Sequence, residues 1–193
     1  MNDLDVLRIE HANASLAKGH GILPSDPSLG FYHIWSGRML LIATKLKCDG
    51  DLPRDDVRAV VRETIQADAT CDVELDLEKQ NELLVLALAS SDVDGARQLA
   101  SIQCNAGNSH PFDIRFNDIL RSFFVPQQSR VSYNASGSEQ LLFDDLDSLA
   151  GKRETDLTGT DTYWNATKSK RYAGTPFAIS NLFRTAFEQL RSM

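Results

Sequence analysis

The sequence predicts an all-α protein: a multi-helix bundle of stacked antiparallel helical hairpins, with at most one short strand. Three observations carry this. Apolar residues recur at three- and four-residue spacing along most of the chain. Capping residues stand before these stretches, twice followed at once by proline, at Asp26-Pro27 and Thr175-Pro176. The links between stretches are short, which sets neighbouring helices antiparallel. The 193 residues are 42% hydrophobic, enough for a real core, and read as one domain over 1–193 with a subdomain boundary open at 105–111.

The first expected helix runs from about Leu4 to Leu16, capped by Asp3. Leu4, Leu7, His11 and Ala14 share one face, and Gly19 and Gly21 are expected to end it. Residues 22–27 read as a linker. A long core helix then spans Ser28 to Lys47, with Leu29, Tyr32, Trp35, Met39, Ile42, Ala43 and Leu46 on one stripe. Lys45 and Lys47 suit the negative end of its dipole, and residues 48–51 read as a turn.

The third helix runs from about Arg54 to Ala69, burying Val57, Val60, Val61, Thr64 and Ile65. In residues 71–78, Asp72, Glu74, Asp76 and Glu78 alternate with Val73, Leu75 and Leu77, which fits a short strand with one wet face or a direct entry into the next helix. That helix, Leu77 to Ala89, is apolar nearly all round and is expected to be central. The link through Ser90 and Ser91 to the cap Asp92 makes a hairpin with Val93 to Ile102.

Residues 105–111 form a loop. Phe112, Phe116, Ile119, Leu120 and Phe123 mark a further helix, Leu141, Leu142, Leu146 and Leu149 another. Residues 125–137 and 151–159 read as irregular. Tyr163, Trp164 and Thr167 lie on a helix opened by Thr160, and Phe177, Ile179, Leu182, Phe183, Ala186 and Leu190 on the last one.

Several chemistries lack their signatures. No phosphate-binding glycine motif occurs, and no GxSxG elbow. The histidines His11, His20, His33 and His110 form no metal-ligand pair, and the acidic row at 72–78 lacks a calcium loop's glycine, so no metal or other cofactor is expected. Cys48, Cys71 and Cys104 are widely spaced and odd in number, as reduced thiols would be. No apolar run approaches membrane-helix length, and the acidic start at residues 1–5 does not resemble a secretion leader, so a cytoplasmic location without membrane contact is expected.

The net charge of −7 is concentrated. Residues 49–94 hold 13 acids and 4 bases, whereas 111–193 hold 10 of each. Such a block repels nucleic acid and attracts basic protein surfaces. The expected partner-binding residues are Asp49, Asp51, Asp55, Asp56, Asp72, Glu74, Asp76, Glu78, Asp92 and Asp94. A merely solvated acidic face is the alternative. The mixture of Tyr163, Trp164, Lys168, Lys170, Arg171 and Tyr172 could stack on and pair with nucleic acid, but the charge of the whole chain opposes it.

The run from Tyr32 through Trp35 to Ala43, the stretch Asn81 to Asp92, and Ala96 to Ala100 together resemble helical immunity proteins. These accompany bacterial polymorphic and type VI secretion toxins. The resemblance implies an all-α cytoplasmic protein that acts by binding a cognate toxin, in many cases a nuclease with a basic active face, and it brings no catalytic residues. Two rivals stay open: a hydrolase without a recognisable motif, using Glu10, His11 and His33, and an adaptor or homodimer that self-associates through Phe177, Phe183 and Phe187.

Overall fold

The computed structural model describes residues 1–71, 75–104, 111–124, 185–190 and 192–193. Among them are α1 (Asp3–Ile22), α2 (Pro27–Asp49), α3 (Arg54–Cys71), α4 (Leu77–Ala89), α5 (Val93–Ser101), α6 (Pro111–Ser122) and a short α7 over 185–190. The described residues contain no sheet, and the all-α expectation holds.

α1 departs from the sequence expectation at both ends. Its cap is Asn2, not Asp3: the Asn2 side chain accepts the Asp5 N–H at 2.9 Å, and the Asp5 carboxylate accepts the Asn2 N–H in return. It runs through Gly19 and Gly21 to Ile22. The face that buries is also not the expected one. Leu4 and Leu7 are 54% and 59% exposed, and His11 and Ala14 face solvent too. The buried residues are Asp5, Ala12 and Gly19.

Small residues let α1 and α2 meet at backbone distance. A Cβ on Gly30 would stand 2.5 Å from the Leu23 Cα, and one on Gly37 would stand 2.8 Å from the Ala12 carbonyl oxygen. α2 starts as expected, with Asp26 accepting the Leu29 N–H at 3.0 Å and Pro27 in the first turn. It extends through Cys48 and Asp49, residues expected in a turn, and ends on Gly50 in the left-handed conformation (φ 78°). Its Trp35, Met39, Ile42 and Leu46 enter the core, but Leu29 and Tyr32 remain exposed.

The core centres on α4. Leu83, Leu84, Leu86 and Leu88 are fully buried against Met39, Ile42 and Leu46 of α2, Val57, Val60 and Val61 of α3, and Leu99 of α5. Phe187 and Leu190 of α7 join the same cluster. Of the two readings open for 71–78, the described residues fit a direct entry into the helix at its end: Cys71 ends α3, and Leu77 and Glu78 open α4, with 72–74 outside the described residues. The N-cap at Asp76 overrides the alternating pattern there. Residues 72–74, 105–110 and 125–184, with the helices expected at 138–149 and 160–172, lie outside the described residues.

Candidate partner-binding surface

The middle-third carboxylates divide by the work they do in the fold. Asp76 is the N-cap of α4: it accepts the Lys79 N–H at 2.8 Å and also pairs with the Lys79 ammonium, which lies over the Trp35 ring. Asp92 is the N-cap of α5 and accepts the Gly95 N–H at 3.1 Å. Asp56 is half-buried between α2 and α3, 2.6 Å from Lys45 Nζ and 3.9 Å from Arg38. Beside it, Arg38 donates twice to Glu63, from Nε at 2.9 Å and from the second guanidinium nitrogen at 2.7 Å. That pairing holds the Arg38 guanidinium above its ordinary pKa, against the cost of desolvation.

Asp49, Asp51, Asp55 and Asp94 point outward. Asp55 lies 3.8 Å from Arg58 and Asp94 lies 2.8 Å from Arg97, both i,i+3 pairs on the surface, where screening leaves little attraction. Asp49 and Asp51 have no ion-pair partner among the described residues. With Asp55 they make an acidic corner where α2 turns into α3. Glu78 is half-buried in the first turn of α4. Asp72 and Glu74 lie outside the described residues.

Among the eight described carboxylates the outward charge is therefore not continuous. Three are committed to caps or an interhelical pair, and the corner at Asp49, Asp51 and Asp55 is the concentrated outward charge. The outer face of α3 also carries Arg54, Arg58 and Arg62, all exposed, at a four-residue spacing that aligns them on one row. That row was legible in the sequence, but the block's net charge hides it.

Other groups weighed in the sequence do not converge. α1 and α2 are antiparallel, with Gly37 against Ala12 and Lys47 against Asp5. Glu10 and His11 thus stand opposite the turn near residue 40. His33, edge-on to Tyr32, is about 10 Å further along the axis at 1.5 Å per residue. No group of three His, Cys, Asp or Glu residues among the described ones could hold a metal ion. Burial pushes the Cys104 thiol up to about 12, which disfavours its thiolate at neutral pH. Phe187 is 2% exposed and packs inward, while Phe177 and Phe183 lie outside the described residues. No described helix is long and apolar enough to cross a membrane.

Sequence reasoning missed a buried polar knot. Gln80 of α4 donates from Nε2 to the carbonyls of Leu99 (2.6 Å) and Ile102 (3.0 Å). Asn117 of α6 donates from Nδ2 to Gln80 Oε1 (2.7 Å) and Asn81 Oδ1 (2.8 Å), and Arg121 Nε donates to the Ala100 carbonyl at 2.7 Å. These bonds satisfy the open carbonyls at the end of α5 and fix α6 on the α4–α5 hairpin. The hint in the sequence was the uncharged Gln80-Asn81 pair within the polar run from Glu78 to Glu82 that opens α4.

The fold and surface define the chain as an all-α bundle with a charged exterior. Comparison with protein-family models, with curated proteins and with solved structures gave no significant match.

Proposed function

We propose that this protein is an immunity protein that acts by covering a cationic surface on a cognate bacterial toxin. The observation that carries the reading is the acidic corner at Asp49, Asp51 and Asp55, all three outward, of which Asp49 and Asp51 have no ion-pair partner among the described residues. An outward group of carboxylates speeds encounter with a basic face and favours correct orientation. The Trp-bearing α2 and the α4–α5 hairpin, which carry the resemblance to helical immunity proteins, supply a rigid frame behind that corner. A toxin that attacks nucleic acid presents a suitable cationic face.

The test starts from the neighbouring reading frames. Co-expression of the native chain should restore growth to cells producing the adjacent toxin. The Asp49→Lys/Asp51→Lys variant should protect less well and associate at least about tenfold more slowly at low salt. Both positions are exposed, and a lysine at 49 suits the end of α2, so the fold should be kept. Full protection with an unchanged association rate would remove the corner from the account. A failure of the native chain to protect against any adjacent protein would remove the immunity reading itself.

A further inference from the structure

The few bases of the acidic block are gathered in one place. Residues 49–94 hold four, and three of them, Arg54, Arg58 and Arg62, stand in the exposed row on α3, while the fourth, Lys79, lies over the Trp35 ring. The four-residue spacing sets neighbouring arginines about 6 Å apart along the axis, on one side of the helix. The row begins at the acidic corner, since Arg54 lies between Asp51 and Asp55 in the chain.

The fold sorts the charges of α3 by sign. Asp56 and Glu63 are turned toward α2, where Lys45 pairs with the first and Arg38 donates twice to the second. Both acids are thereby drawn away from the arginines of their own helix. What remains outside for the row is Asp55, fully exposed and 3.8 Å from Arg58, a contact that screening makes weak. Arg54 and Arg62 have no ion-pair partner among the described residues, and Arg62 Nε donates to the Arg58 carbonyl at 3.3 Å.

We propose that this row is the second half of the partner-binding face and takes a row of carboxylates on the partner protein. The inference rests on the immunity reading and narrows its partner: the toxin face that fits carries an acidic strip beside the basic patch that meets the corner. A guanidinium binds a carboxylate through two parallel hydrogen bonds, which gives such a contact direction as well as charge. Aspartates or glutamates one turn apart on a helix repeat at the spacing of the row. A wholly cationic face would meet the arginines as like charges, so the row also selects against basic proteins that suit the corner alone. A nucleic acid fits less well: it is negative throughout, and at the start of the row it would run against Asp51 and Asp55.

The test is binding of the native chain to the product of the adjacent reading frame at low salt, by stopped-flow kinetics and calorimetry, beside Arg58→Gln/Arg62→Gln and Arg58→Glu/Arg62→Glu. Both side chains face solvent, so the helical circular dichroism should be unchanged. The neutral variant should bind at least about tenfold more weakly and the reversed one more weakly still, chiefly through faster dissociation. The direction of the change discriminates. Were the partner's face cationic throughout, both variants, being more negative than the native chain, would associate faster and bind more tightly. Tighter or unchanged binding in the two variants therefore overturns the inference and leaves the corner standing. A native chain that binds no adjacent product overturns the immunity reading and this inference with it. Binding of a DNA or RNA oligonucleotide that is present in the native chain and lost in both variants assigns the row to nucleic acid and overturns it too.

Discussion

Asn117 and Asp5 show how single polar side chains hold helices in register. Asn117 supplies both donors of its amide to buried acceptors on α4, so removing it strips partners from Gln80 Oε1 and weakens the bonding of Asn81. Asn117→Ala should lower the unfolding free energy by about 1–3 kcal/mol, measured by urea denaturation. Asp5 is 3% exposed and ties α1 to α2 through Lys47. The hydrogen bond from Lys47 holds its carboxyl below the ordinary value, against the opposing effect of burial, and the Asn2 backbone bond adds to the lowering. A carboxyl whose folded pKa is depressed adds stability above its unfolded pKa and loses it as pH falls through the folded value. Stability should therefore drop as pH falls below the unfolded value of about 3.9. In Lys47→Met that part of the drop should shrink, because Asp5 no longer titrates low. Denaturant midpoints of the two proteins at pH 7 and at pH 3 check this.

The helices differ in how openly their sequences declare them, and the difference has a physical cause. α2 and α5 were legible because an acidic cap, a proline or tight link, and apolar residues at helical spacing all agree there, and α4 because its second half is an unbroken apolar run. α1 was legible as a helix but not in its orientation. Its buried face is made of Ala12, Gly19 and the Asp5–Lys47 pair, which an apolar-periodicity reading weighs lightly, while the leucines that such a reading sends inward face out. The glycines that looked like helix breakers are the means of close packing. Gly30→Ala should cost about 1–3 kcal/mol, because its Cβ would collide with the backbone of Leu23, the C-cap of α1, and backbone must shift to admit it. Gly21→Ala, with open space around it, should be neutral or stabilising by up to about 1 kcal/mol. Thermal unfolding of the two variants checks the contrast. The alternation at 71–78 left two readings open for a related reason: an aspartate before an apolar run reads equally well as one wet position of a strand or as the cap of a helix. Asp76 is the cap.

At the scale of the whole molecule, the charge block was visible in the sequence but its distribution in space was not. Asp56, Asp76 and Asp92 are drawn into the fold's own pairs and caps, and Arg54, Arg58 and Arg62 share the α3 surface with the acids, so net charge along the chain overstates the field outside it. What stays concentrated is the corner at Asp49, Asp51 and Asp55. Reversing Asp76 would damage α4 by loss of its cap, at about 1 kcal/mol, and would confuse a binding defect with a folding one. The corner residues avoid that confusion. The most direct measurement is the association rate constant of the native chain with the proposed partner, the product of the adjacent reading frame, followed against ionic strength beside Asp49→Lys/Asp51→Lys. The account predicts a native rate that falls steeply as salt rises, and a variant that starts at least about tenfold slower and responds weakly to salt. Equal rates with equal salt dependence in the two proteins would contradict it.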